Sequence, residues 1–262
     1  MEIILSFLIC ILATTVGAIS GIGGGVIIKP VLDAASELPA ATISFLSGCT
    51  VLAMSVVSLL RSRGGGVQIE RRRGTLLAVG AAVGGVLGKQ LFDGIRAACG
   101  DDRLVGIVQS VLMVLLTAGV LVYVLRKDRI RTRRVRHAAG CAAIGLLLGM
   151  LSAFLGIGGG PINLAVLYYF FSMDAKTAAL NSIYIILFSQ IASFATTILT
   201  RAVPEFQTAM LAAMVIGGVA GGFLGRAFTR RMSNRQVDLL FRVILVAITL
   251  ISVYNVFHYA GM

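Results

Sequence analysis

Two short runs carry the chemistry this chain can offer. Residues 21–25 read GIGGG, and residues 156–160 read GIGGG again. A glycine inside a helix costs about 1 kcal/mol against alanine. Three in succession form no packing ridge on one helix face; they weaken the helix outright. Pro161, directly after the second run, suits the first turn of a new helix. A helix restarted at such a break presents unpaired N–H groups and the positive end of its dipole, which together favour an anion. Gly21, Gly23, Gly24 and Gly25, with Gly156, Gly158, Gly159 and Gly160, are therefore candidate substrate-binding residues. A structural kink without a ligand is the alternative reading. A dinucleotide-binding loop is excluded, because neither a β-α-β context nor a following acidic residue is present.

Further polar residues fall where they could assist. Asn163 follows the second break and can donate to an anion or cap the broken turn. Ser47 and Ser182 occupy the same place after their respective breaks, on polar helix stripes, and hydroxyls donate without imposing a charge. Packing between helices explains those serines equally well. Asn181 and Gln190 are amides, costly to leave facing lipid. Lys29, four residues past the first run, is either an intramembrane functional cation or a side chain that snorkels to the headgroups. Lys89 and Arg226 read as anchors at helix ends. All eleven carboxylates fall in loops or near expected helix ends, which leaves no buried acid for a proton relay. His137 and His258 are also terminal. No catalytic constellation is legible, so no catalytic residue is assigned and an enzyme is not expected. The four cysteines stand singly, which implies neither a disulfide framework nor a metal site. No cofactor is expected.

These residues are embedded in a chain of 262 residues that is 58% hydrophobic and 13% charged. Stretches approaching ~20 apolar residues recur throughout, as transmembrane helices require. The net charge of +12 does not indicate a nucleic-acid partner. Basic residues crowd into Arg61–Arg73, Arg126–Arg136 and Arg226–Arg235, between apolar runs, as cytoplasmic loops do. The N-terminal twenty residues lack a basic leader region and a convincing cleavage site, and read as a retained membrane segment.

The chain also repeats itself. The offset of 135 residues that superposes 156 on 21 also superposes Ser182 on Ser47. GAAVGGVLGK at 80–89 matches GGVAGGFLGR at 217–226, so Gly80, Gly84 and Gly88 fall on Gly217, Gly221 and Gly225. Their four-residue spacing suits close helix packing. The expected organisation is a first membrane repeat at 1–125, a basic cytoplasmic linker at 126–137 and a second repeat at 138–262. Helices are expected at 3–20, 26–36, 40–60, 74–92 and 104–125, then at 138–155, 161–171, 177–199, 207–228 and 237–258. The stretches 26–36 and 161–171 are too short to span: eleven helical residues rise about 16 Å against a core of about 30 Å. Each is a half-helix or a re-entrant arm. Equivalent loops carry opposite charge bias, Arg-rich at 61–73 but sparse at 200–206, which favours inverted halves provided each first segment doubles back. Eight simple spans would make the halves parallel.

The doubled Gly-x-Gly-Gly-Gly motif, the four apolar segments per half and the short basic centre resemble the TauE/SafE family of sulfite and organosulfonate exporters. The likeness covers essentially the whole chain. It implies a multi-pass carrier of the bacterial inner membrane that moves a small sulfur oxyanion or another organic anion, with the bilayer as its other partner. Export by alternating access is the reading this favours; an anion channel or an uptake permease is the alternative. A homo-oligomer is left open. Pro30 has no counterpart at Ala165, so the two half-sites differ and the substrate lies nearer one of them.

Overall fold

The computed structural model describes residues 2–62, 71–99, 102–135, 137–157 and 159–261. Arg63, Glu70, Asp101, Arg136 and Gly158 fall outside them. Among the described residues every regular element is helical. The first half holds α1 (Glu2–Ser20), α2 (Gly25–Ala35), α3 (Ala40–Ser62), α4 (Arg71–Cys99) and α5 (Asp102–Arg126). The second holds α6 (Ala138–Leu155), α7 (Gly160–Phe171), α8 (Ala175–Leu199), α9 (Thr208–Arg231) and α10 (Asn234–Gly261). All but α2 and α7 are long and apolar enough to cross a bilayer, eight helices in all. The protein is a polytopic, all-α membrane protein, as its composition requires.

The helices start close to where apolarity begins, but several outrun it. The 29 residues of α4 rise about 44 Å, the thickness of a bilayer with its headgroup layers, about 40–45 Å. Polar flanks remain helical there because water satisfies their side chains. Asp174 sets the start of α8 by accepting from the Thr177 amide at 3.0 Å.

Both glycine runs break the chain. Gly156 caps α6 in the left-handed region (φ +65°), and Gly159 precedes α7 at φ +82°. Gly21 and Gly23 adopt φ +81° and +71°. Side-chain-bearing residues disfavour all four conformations. At each break the chain doubles back. Gly24 lies against Thr14 and Gly17, and Ile28 and Leu32 of α2 pack with Cys10 and Ala13 of α1. The end of α7 returns to the segment before α6, where the Arg133 and Val135 amides donate to the carbonyls of Tyr169 and Phe170 at 2.7 and 2.9 Å. The short stretches are thus re-entrant arms.

Hydrogen bonds sort the helix ends into two faces. On one, Arg103 donates to the Tyr259 and Ala260 carbonyls, each at 2.6 Å, Tyr259 donates to Asp33 at 3.1 Å, and Thr42 donates to the Glu205 carbonyl at 3.0 Å. On the other, Lys127 pairs with Asp238, Arg230 donates to the Arg61 carbonyl and the Lys176 amide to Asn234. This second face gathers the basic segments, as the positive-inside rule expects of a cytoplasmic side; it is the basic face, and the first is the outer face. The α1–α2 hairpin enters from the outer face and the α6–α7 hairpin from the basic one.

Small residues decide which helices touch. Gly217, Gly221 and Gly225 of α9 lie in turn against Phe7–Cys10, Ile11–Thr14 and Thr15–Ala18 of α1. The numbers rise together, so the helices run parallel. Gly80, Gly84 and Gly88 of α4 meet Ala142, Leu146 and Met150 of α6 in the same way. Each long pairing therefore joins one half of the chain to the other. A methyl added at Gly84 would stand 2.0 Å from the Leu146 carbonyl oxygen, whereas one at Gly119 meets nothing within 4 Å. We expect Gly84→Ala to destabilise by about 1–3 kcal/mol and Gly119→Ala to be neutral or slightly stabilising, read as thermal midpoints of the detergent-purified protein.

Candidate anion site at the glycine breaks

The two breaks interlock. A Cβ at Gly25 would lie 2.5 Å from the Ile157 carbonyl oxygen, and one at Gly160 would lie 2.6 Å from that of Ile22 and 2.2 Å from Val26. Each loop thus fills the hollow left by the other's missing side chain. Neither helix N-terminus, at Gly24 for α2 or Gly159 for α7, receives a side-chain cap. Both positive ends converge in the interior.

Some buried polar groups lack partners, and three of them lie beside the second break. Several buried hydroxyls in these helices bond back to a carbonyl one turn earlier: Thr50 to Leu46, Thr117 to Met113 and Thr196 to Ala192, at 2.8–2.9 Å. Ser44, Ser47, Ser55, Ser152 and Ser182 do not, and their oxygens lack a partner among the described residues. Both amide atoms of Asn163 are also unpartnered, at 0% exposure. That amide lies over Gly159: a Cβ there would be 3.1 Å from each of its polar atoms. Ser152 flanks the same glycine and Ser44 flanks Gly156. Buried polar atoms are normally satisfied, which makes these groups candidate donors and acceptors for a ligand.

A narrow cleft reaches this region from the outer face. Ala41, Phe45, Phe194 and Thr197 line its rim near the ends of α3 and α8, and Gly48, Gly156 and Gln190 line its depth. Phe45 stacks on Phe194 and lies tilted against Phe206, at centroid distances of 6.1 and 5.3 Å. Lys89 supplies the one cation of the lining. Its ammonium pairs with Asp93 at 2.8 Å and lies 4.9 Å from the Phe92 ring centre.

The structure does not bring all the sequence candidates to this cleft. Gly156 and Gln190 line it, and Gly159, Gly160 and Asn163 lie behind Gly156. Gly158 is outside the described residues. Gly21, Gly23, Gly24 and Gly25 pack instead: Gly21 against Ala179, Gly23 against Ile186 and Val51, Gly24 against Thr14, Gly25 against Ile157. Ser47, Asn181 and Ser182 are buried away from the cleft lining, with the Asn181 amide donating to the Thr177 carbonyl at 2.9 Å. Lys29 neither faces the glycine cleft nor snorkels. It is 2% exposed and pairs with Asp33 at 2.8 Å in a separate chamber. Asp33, at 3% exposure, also corrects the expectation that no acid is buried. The side chain lies on the enclosed arm α2 and takes a hydrogen bond from Tyr259.

Lys89, Ser44 and Ser152 lie at the candidate site and are not among the residues the sequence singles out for it. Fading apolarity at 92 reads as a helix end near Lys89, yet α4 runs on to Cys99. The repeat position of Lys89 opposite Arg226 was the available signal. Arg226 is 6% exposed, with an unpartnered Nε, on the closed basic side.

The sequence profile of the sulfite exporter TauE/SafE family matches residues 6–252. A relative described as a probable membrane transporter protein, YunE of Bacillus subtilis (strain 168), is 22% identical over 273 residues, covering 95% of this chain and 96% of its own. No solved structure matches the chain.

The opening has a sidedness that labelling reads. In a background with all four cysteines replaced by serine, we expect Ser193→Cys, in the cleft lining, to react from the outer face with an impermeant thiosulfonate. Ser58→Cys, at a position 0% exposed toward the basic side, should react at least an order of magnitude more slowly from either face.

Proposed function

The chain belongs to the sulfite exporter TauE/SafE family and is a membrane transporter, and on that premise we propose that it carries a small anion, sulfite or an organosulfonate, out of the cell by alternating access. The observation that carries this reading is the convergence of two uncapped helix N-termini on a buried group of unpartnered hydroxyls and one unpartnered amide, at the foot of a cleft whose cation is Lys89. A tetrahedral or pyramidal oxyanion needs such donors on several sides. The asymmetry of the breaks favours the second one as the anion's seat, since Ser44, Ser152 and Asn163 flank its glycines, whereas Val51, Ile157 and Ile186 flank those of the first.

Alternating access rests on two halves related by an inverted pseudo-two-fold axis. The pairing pattern supports it: α1 with α9 mirrors α6 with α4, α3 with α9 mirrors α8 with α4, and α5 meets its counterpart α10. The first half's hairpin also enters from the face opposite the second's. Under that symmetry the open cleft has a closed counterpart on the basic side. Ser55, Ser58 and Arg226 there correspond to Gln190, Ser193 and Lys89, and all three are buried. The conformation is then outward-facing, and opening the basic side would hand the anion to Arg226. An inside-negative potential of the inner membrane favours anion exit by about 2.3 kcal/mol per charge per 100 mV.

Binding and flux test this separately. Sulfite at 100 times its dissociation constant should stabilise the purified protein by about 2.7 kcal/mol, read as a thermal shift that carboxylates and phosphate do not reproduce. In proteoliposomes, sulfite flux should saturate. Gly159→Leu should reduce it to the background of empty liposomes while the protein stays in the membrane. Full flux in that variant overturns the site.

A further inference from the structure

The repeat that sets Lys89 opposite Arg226 also sets Asp93 opposite Arg230, each four residues further on. At the outer mouth an acid therefore follows the cation by one helical turn; at the basic mouth a second cation does. The outer pair is closed, the Lys89 ammonium meeting the Asp93 carboxylate at 2.8 Å. Arg226 has no such partner. Among the described residues no carboxylate pairs with it, its Nε makes no hydrogen bond, and the residue is 6% exposed. Its charged neighbour is Arg230.

Packing fixes where these groups stand. Gly218 of α9 lies against Thr50 of α3, and Gly222 against Met54 and Ser58. Arg230 donates to the Arg61 carbonyl at 2.7 Å. Arg226, one turn past Gly222 and one before Arg230, is thereby held beside the Ser58–Arg61 turn. Ser55 and Ser58 are both 0% exposed. The Ser55 oxygen has no partner among the described residues, and the Ser58 hydroxyl reaches the Met54 sulfur at 3.3 Å, a weak acceptor. The matching packing of Gly85 on Ser189 places Lys89 beside Ser193 at the outer mouth. The two mouths share a plan and differ in charge.

A buried guanidinium is costly without a counter-charge. Its planar fork of donors fits two oxygens of an oxyanion at once. Lys89 instead offers a point charge already matched by a carboxylate, which repels the same guest. We propose that Arg226, reinforced by Arg230 and flanked by Ser55 and Ser58, is the oxyanion's loading site on the basic face, and that Asp93 makes the outer cleft the weaker, releasing site. The loading site is reached when the basic mouth opens. This rests on the transporter reading and adds to it which face binds tightly. Net direction still follows the gradient; the charge difference sets the concentration at which each face saturates.

Uptake of sulfite into right-side-out and everted membrane vesicles, with the potential held at zero, gives a KM for the outer and the basic face in turn. The wild type should show the lower KM on the basic face. Arg230→Asp, at an exposed position, copies the outer arrangement and should raise the basic-face KM at least about tenfold. Asp93→Asn should lower the outer-face KM by a similar factor. Arg226→Gln should act as Arg230→Asp does, and Arg226→Lys, which keeps the charge, should recover most of the loss. An arginine with a merely structural role would change the maximal rate on both faces alike. Should Arg226→Gln fail to fold, Arg230→Asp and Asp93→Asn carry the test. The proposal is overturned if Arg230→Asp leaves the basic-face KM unmoved, or if Asp93→Asn leaves the outer-face KM unmoved. Absence of saturable sulfite uptake in the wild type overturns the transporter reading together with it; saturable uptake with unmoved KM values overturns the loading site alone.

Discussion

A backbone that stops being helical inside a bilayer must be enclosed by protein, because hydrocarbon offers its amides nothing. The rest of this architecture follows from meeting that requirement twice. The two broken stretches enclose one another, Gly25 on Ile157 and Gly160 on Ile22, so that neither meets lipid. Contact that close is available only to residues without a side chain. Around this knot, α3 and α8 pack against each other and against the α9 and α4 of the opposite halves.

The same five residues have different duties in the two halves. In the first, the glycines allow near approach: Gly21 to Ala179 and Gly24 to Thr14. In the second, where Gly156 and Gly159 share the left-handed backbone of Gly21 and Gly23, the loop meets Ser44, Ser152 and Asn163. The motif supplies a bend, and the neighbouring helices decide whether that bend meets an apolar or a polar wall. Sequence identity of the runs therefore does not imply identity of role.

Much of the fold is legible in the sequence. The expected α6 coincides with the observed one, and the others differ mainly where helices continue into the headgroup layer. Charge bias pointed to opposed hairpins because loop composition is read locally. The site was less legible. The i, i+4 spacing of Lys29 and Asp33 was visible, but their burial depends on α5 and α10, more than seventy residues away in the chain. Lys89 was obscured because fading apolarity was taken as the end of its helix. The unpartnered state of Ser47 and Ser182 was also invisible, since a serine's composition does not say whether it bonds back along its own helix.

The pairing of α1 with α9 has a consequence for biogenesis. α1 finds its main neighbour, α9, only after nearly two hundred further residues have been made. Thr14, Thr15 and Ser20 would be a burden in hydrocarbon, but each donates within its own helix, to Cys10, Ile11 and Val16 at 2.5–2.8 Å. This self-sufficiency lets an early segment idle in an oily setting until its late companion arrives.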